Sequence, residues 1–182
     1  YAPKKRNNKR LGMLTEKYPQ LHLAYPATSF WRKFSSLWRI SSITRQLENE
    51  EVGIFHGLSN ELPLNIHKSH IKSIVSIHDL IFLRYPQYYH FLDRKIYTYK
   101  FRKACENADK IIAISECTKR DIIKFFHIPA DKIEVVYQGC DPVFEQFVGN
   151  EKKEEVRSKY QLPPKYILNV GSIEERKNAL LL

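Results

Sequence analysis

The chain reads as an α/β protein with a Rossmann-like parallel sheet and crossover helices. Three observations carry that reading. Short apolar runs rich in Ile and Val recur along the chain, at Val52–His56, Ser73–His78, Lys110–Ile114, Lys132–Tyr137 and Tyr166–Val170. Segments of helical period or helical composition separate most of them, and runs that alternate with helices of this length fit parallel pairing through crossovers. Several runs end in Gly, His or Ser, the residue types found where strands leave a sheet.

Taken in order, residues 1–12 are basic and polar and read as irregular. Leu21–Tyr25 reads as a short strand before Pro26. From Phe30 to Asn49, Trp31, Phe34, Leu37, Trp38, Ile40, Ile43 and Leu47 recur near the helical period, which predicts one amphipathic helix. The run Val52–His56 closes at Gly57. Ser73–His78 ends at His78-Asp79, and a second helix spans Tyr88 to Ala108. Ser115, after Lys110–Ile114, has the hydroxyl that an N-cap needs, and a helix from Glu116 to His127 stops before Pro129. The run Lys132–Tyr137 is closed by Gly139. Glu151 to Tyr160 is a charged helix broken by Pro163-Pro164, and Tyr166–Val170 is a fifth strand that runs through Gly171 into a helix start.

Composition narrows the function. The net charge of +10 is concentrated early, with Lys4, Lys5, Arg6, Lys9 and Arg10 in ten residues that hold no acid. Such an excess suits polyanions, whether nucleic acid, anionic lipid headgroups or phosphorylated sugars, or else a solvated loop. No helix-turn-helix, RNP or zinc motif accompanies it, so nucleic acid is not the expected partner. No apolar run approaches the roughly 20 residues that span a bilayer. Cys105, Cys117 and Cys140 fit no zinc or CxxC spacing and read as reduced thiols of a cytoplasmic protein. A Tyr at position 1 suggests that the natural N-terminus lies upstream.

The carboxyl-edge rule for parallel sheets gathers His56, His78, Ser115 and Gly139 on one edge. His78-Asp79 suits a pair that bonds a sugar hydroxyl or phosphate oxygen and accepts a hydroxyl proton; the alternative is a locally satisfied His and an Asp that caps the next turn. His56-Gly57 ends its strand in the same way, with a glycine that admits a close ligand or a close backbone. Ser115 either caps its helix or leaves first-turn amides facing an anion. Arg176 and Lys177 follow Gly171 by a short loop and suit a diphosphate, or form an ordinary exposed basic pair. His67 and His70 lack a local carboxylate or thiolate and stand beside Lys68 and Lys72, so no metal is expected, and no Asp-x-Asp pair is present. Tyr85 to Phe101 mixes aromatics with Lys and Arg. That pattern suits base stacking or a membrane interface, whereas the spacing of Phe91, Ile96, Tyr97 and Tyr99 suits a packed helix face.

The ordered set is more specific than its members. His56-Gly-Leu-Ser-Asn-Glu-Leu-Pro63 is followed by Val75-Ser-Ile-His-Asp-Leu80 with Tyr85-Pro86, and by Ala108-Asp-Lys-Ile-Ile-Ala-Ile-Ser-Glu116. Lys132-Ile-Glu-Val-Val-Tyr-Gln-Gly-Cys-Asp141 and Tyr166-Ile-Leu-Asn-Val-Gly-Ser-Ile-Glu-Glu-Arg-Lys-Asn178 complete it. Together these resemble the family-4 retaining glycosyltransferases of the GT-B fold, in particular a mannosyltransferase-like bacterial branch, over about Val52 to Leu182.

The resemblance implies two Rossmann-like domains facing a cleft, one for an acceptor and one for a nucleotide sugar. Residues 1–150 would be the acceptor-side domain, and 151–182 a linker helix and the first strand of a truncated donor-binding domain. The chain would then be the N-terminal half of a GT-B fold, inactive alone. His78 and Asp79 would lie at the transferring sugar, with His56, Gly57 and Ser115 on the acceptor side; Gly171, Arg176 and Lys177 would contact the donor diphosphate. The donor would be a UDP- or GDP-linked sugar, with no metal or other cofactor. The acceptor would be a glycan or lipid-linked molecule of cell-surface polysaccharide synthesis, met in the cytoplasm or at the inner membrane face beside anionic lipid. Retaining transfer in such enzymes is drawn as same-face attack assisted by the leaving phosphate.

Three departures stand out. No glycine-rich loop follows a first strand, which is expected upstream of Tyr1. Ser172 stands where relatives carry an Arg. The paired glutamates that grip the donor would lie beyond Leu182. The rival reading is a basic α/β module that binds nucleic acid or anionic membrane without catalysis.

Overall fold

The computed structural model describes residues 1–2, 9–178 and 181. The basic residues Lys4, Lys5 and Arg6 lie outside that range. Two compact units divide the described chain, Tyr1–Tyr137 and Gln138–Leu182.

The first unit is a parallel four-stranded sheet with strand order β1-β2-β3-β4, where β1 is Ile54–Gly57, β2 Lys72–Ile77, β3 Lys110–Ala113 and β4 Ile133–Val135. Register follows from the Ile/Val runs: His56 lies opposite Ile74, Val75 opposite Ile111, and Ala113 opposite Val135. Val75, Ile77, Ile111, Ala113 and Ile133 are buried, as expected for strands covered on both faces. Helix α1 is Lys9–Lys17. A broken helical stretch follows, made of α2 (Ser29–Lys33), α3 (Ser35–Leu37), a π-helical turn (Trp38–Ser42) and α4 (Ile43–Asn49). After β2 come the single turn α5 (Ile81–Arg84) and the long crossover α6 (Phe91–Asn107); α7 (Glu116–Phe126) joins β3 to β4. Trp38, Ile43 and Leu47 from the broken helix, Ala104 and Cys105 from α6, and Ile122 and Phe126 from α7 complete the core around the sheet.

The sequence expectations hold for the four central strands and for the α6 and α7 helices, within a few residues. Ser115 is the N-cap of α7, its hydroxyl accepting from the Thr118 amide at 3.1 Å. His127 ends α7 in a left-handed turn with φ 57°, two residues before Pro129. Other expectations fail. Residues 9–12, expected to be irregular, lie in α1. Leu21–Tyr25 forms no strand; Leu21 N–H donates to Tyr18 O and Ala2 N–H donates to Ala24 O, both at 2.9 Å, and neither bond belongs to a ladder. The single helix over 30–49 is interrupted at Phe34 (φ −105°, ψ 48°) and again by the π turn. Ser35-Ser36 and Ser41-Ser42 flank the breaks, and serine favours competing local bonds over helix continuation. The Ile40 carbonyl at the π turn is taken by Leu64 N–H at 2.7 Å, which offsets the irregularity.

The second unit contains α8 (Asn150–Tyr160) and a 3₁₀ turn at Glu175–Lys177. Tyr166–Val170, expected as a fifth strand, joins no ladder among the described residues, and its side chains are exposed. A parallel strand needs a neighbour to bond its amides, so apolar composition alone does not make one.

At the amino edge of the sheet Asp109 clamps β2 to β3. Its carboxylate accepts from Ser73 N–H at 2.8 Å and from the Ser73 hydroxyl at 3.0 Å. The Ser73 amide bond is the main cause that holds the Asp109 carboxyl below its ordinary range, reinforced by the Ser73 hydroxyl and Lys72. Because the folded-state value is depressed, the stabilisation is present above the ordinary carboxylate pKa and is lost as pH falls through the folded value. Urea titrations between roughly pH 5 and pH 2 should therefore show a steeper loss of stability for the native chain than for Asp109→Asn.

Candidate functional site

The carboxyl edge of the first unit is built around a backbone that folds back on itself. A Cβ on Gly57 would lie 2.1 Å from the Glu61 carbonyl oxygen and 3.0 Å from Leu62 Cδ2. Glycine is required there sterically, so that residues 58–62 can return over the end of β1. The turn is completed by Asn60, which adopts the left-handed conformation at φ 60° that Asn tolerates better than most residues.

That return places polar groups on His78. Asn60 N–H donates to Ser76 O at 3.1 Å, and Asn60 Oδ1 accepts from His78 N–H at 2.7 Å. The His78 ring Nε2 lies 2.8 Å from the Leu58 carbonyl oxygen. A carbonyl only accepts, so Nε2 carries the proton and Nδ1 of the neutral ring is left as an acceptor. Nδ1 has no hydrogen-bond partner among the described residues. Thr118 Oγ1 donates to the His78 carbonyl at 3.0 Å and so docks the start of α7 on the same residue.

Other expected residues fall as follows. Asp79 Oδ1 accepts from Ile81 N–H at 3.2 Å, the turn-capping arrangement. His56 shares a 2.9 Å bond between its Nε2 and the Ser76 hydroxyl. Ser115 Oγ lies 3.0 Å from Thr118 Oγ1; since Thr118 donates to His78, Ser115 donates to Thr118 and is fully used as a cap. His67 and His70 are exposed, and no group of three or more His, Cys, Asp or Glu able to hold a metal occurs among the described residues. Cys105 is buried with its thiol pushed up to about 12 by desolvation, hence unreactive.

A cavity of about 520 Å³ opens beside this edge, within the usual span of ligand clefts. Its polar lining includes His56, Ser59, Glu61, Arg39 and Tyr1, and its apolar wall includes Trp38 and Leu62. Glu61 is set by Lys100 at 2.9 Å and Arg39 at 3.9 Å. The structure thus brings His56 and Gly57 together with Glu61 and Ser59. His78 adjoins them through Leu58 and does not itself line the cavity. Sequence reasoning missed Asn60, Glu61 and Arg39. The segment His56–Pro63 was the available signal, but these roles depend on partners 18 to 39 residues away.

In the second unit Arg176 Nε donates to Glu174 Oε2 at 2.6 Å, and the Ser172 hydroxyl bonds the same carboxylate. Those bonds, Ser172 first, hold the Glu174 carboxyl below its ordinary range. Gly171 and Lys177 are exposed, with Lys177 in the 3₁₀ turn, so no helix start of normal length follows the glycine among the described residues.

Comparison with known proteins decides the family. The model described as Glycosyltransferase Family 4 matches residues 5–144. The chain belongs to glycosyltransferase family 4. Among curated relatives of this family-4 chain, the Escherichia coli O-antigen chain mannosyltransferase B is 30% identical over 129 residues, covering 69% of this chain and 32% of the relative. The E. coli serotype-specific mannosyltransferase WbdA is 27% identical over 137 residues, 70% of this chain and 16% of that protein. The family-4 chain therefore spans about a third or less of the curated relatives it matches. A glycosyltransferase from Rickettsia africae ESF-5, known from its crystal structure, superposes with TM-score 0.50 at 21% identity over 84% of this chain and 39% of that one, a likeness of fold.

Gly57→Ala should destabilise the protein by about 2 kcal/mol, because backbone and not a flexible side-chain end must yield. A urea midpoint unchanged from the native value would show that the loop relaxes freely.

Proposed function

We propose that this chain is the acceptor-side part of a hexosyl- or mannosyl-type glycosyltransferase. Such an enzyme moves a sugar from a UDP- or GDP-linked donor to a glycan or lipid-linked acceptor with retention, in cell-surface polysaccharide synthesis. Family membership and the printed activities of the E. coli relatives support the class. The observation that carries the reading is the His78 ring, held through Nε2 by the carbonyl of Leu58, a residue that lines the polar cavity, with its second nitrogen left without a partner among the described residues.

In this reading the acceptor hydroxyl approaches the anomeric carbon on the face from which the diphosphate departs. The new carbon–oxygen bond forms as the bond to the phosphate oxygen breaks, and the hydroxyl proton passes to that departing oxygen. No protein nucleophile is needed. His78 Nδ1 accepts a hydroxyl of the transferred sugar, which fixes its orientation. The second oxygen of Asp79, which has no partner among the described residues, accepts another. His56, Ser59 and Glu61 hold acceptor hydroxyls, while Ser115 positions His78 through Thr118.

Gly171, Arg176 and Lys177 are the donor-diphosphate candidates. Arg176 is engaged with Glu174, so a diphosphate would have to replace that carboxylate. The cations compensate the leaving-group charge, so neither a metal nor another cofactor enters the proposal. A cytoplasmic site, peripheral at the inner membrane face, fits a nucleotide-sugar donor and a lipid-linked acceptor.

In a longer protein that carries this chain and is active, His78→Ala should lower kcat/KM by about a hundredfold. An unchanged rate with a panel of UDP- and GDP-hexoses would remove His78 from the site. Residues 1–182 alone should transfer no sugar from the same donors, and detectable turnover would refute the assignment as an acceptor-side part.

A further inference from the structure

The outward face of α6 has an unusual composition for a surface turned to water. The helix is held to the sheet by buried Ala104 and Cys105 and by Phe101, whose ring meets Phe82 edge-to-face at 5.2 Å. At 100° per residue the opposite side carries Leu92, Ile96, Tyr99 and Lys103, flanked by Phe91, Lys95 and Arg102. Phe91, Leu92, Ile96 and Tyr99 are 58%, 71%, 51% and 56% exposed. Singly exposed apolar residues are ordinary, but four large ones on one helix face form a patch. Tyr85 and Tyr88, also exposed, precede the helix. Cavities of about 340 and 580 Å³ flank α6, and both are lined by Lys95 and Tyr99.

Charge selects the occupant. Five Lys and Arg and two acids lie within Phe91–Asn107, and one of the acids, Glu106, is paired with Lys103 at 2.6 Å. Cations are interleaved with apolar side chains at the same level, and Lys95 Nζ sits 4.5 Å from the Phe91 ring centroid. An interfacial helix needs this arrangement: rings and aliphatic chains enter the headgroup layer while long basic side chains reach lipid phosphates. No helix among the described residues is long and apolar enough to cross a membrane, so contact through this face would be peripheral.

We propose that the solvent face of α6, from Phe91 to Lys103, docks the first unit on an anionic phospholipid surface. Leu92, Ile96 and Tyr99 enter the headgroup layer, and Lys95 and Arg102 meet the phosphates. The purpose of the contact rests on the lipid-linked-acceptor reading, whereas its evidence does not.

Flotation of the 182-residue chain with phosphatidylcholine vesicles, with and without phosphatidylglycerol, tests this directly. The chain should float with the anionic vesicles and not with the neutral ones, and added salt should release it. Leu92→Ser with Ile96→Ser, and separately Lys95→Glu with Arg102→Glu, should each lower the bound fraction by about tenfold. Lys152→Glu with Lys153→Glu, on α8, should leave it unchanged. In the unsubstituted chain, vesicles should slow hydrogen exchange of the α6 amides, a measurement that no variant's folding can confuse.

Equal binding to neutral vesicles, insensitivity to the α6 substitutions, or protection confined to other segments would overturn the proposal. Capture of a single-stranded oligonucleotide without vesicle binding, lost in the Lys95/Arg102 variant, would assign the face to nucleic acid instead. Neither measurement uses a nucleotide sugar, so failure here and failure of the transferase reading are separate results.

Discussion

A single close approach organises the carboxyl edge. The Glu61 carbonyl stands where a side chain on Gly57 would begin. From that contact the rest follows: the loop returns over β1, Asn60 reaches both Ser76 and His78, and the Leu58 carbonyl meets the His78 ring. The imidazole is held by backbone atoms, which carry no rotamer freedom of their own. The ring is thereby restricted to few orientations before any ligand arrives.

The two edges of the sheet divide their labour. At the amino edge Ser73 and Asp109 satisfy one another almost completely, through two bonds to the carboxylate and two from the Asp109 amide. At the carboxyl edge His78 Nδ1 and the cavity-lining Ser59 and Glu61 keep capacity toward solvent. Satisfied polar groups fix a fold, and partly open ones on a rigid frame are available for a ligand. The Ala108-Asp-Lys110 segment, a prominent part of the sequence resemblance, thus belongs to the structural edge and not to the site.

Much of the fold was legible because buried parallel strands write themselves as Ile/Val runs, and because Ser115 and Pro129 bracket α7 in a way that local chemistry dictates. What escaped depended on contacts. The Phe30–Asn49 periodicity is real, yet Leu64 N–H, which captures the Ile40 carbonyl, lies outside the helical window. Tyr166–Val170 has the composition of a strand and no neighbour to pair with among the described residues. On α6 the spacing of Phe91, Ile96, Tyr97 and Tyr99 suited a packed face, yet all four are exposed. Buried Ala104 and Cys105 determine which side faces the sheet, and they turn most of the large residues outward. At the site, His56, Gly57 and His78 were visible as strand ends, whereas Asn60 and Glu61 gain meaning only when distant segments meet.

The π turn has a mechanical consequence. Because the Ile40 carbonyl accepts from Leu64 N–H, the broken helix and the returning loop are riveted at one point. Arg39, one residue earlier, grips Glu61 from the same turn. A displacement of the loop is therefore shared between the irregular turn, through Ile40 and Arg39, and the end of β2, through Asn60 and Leu58.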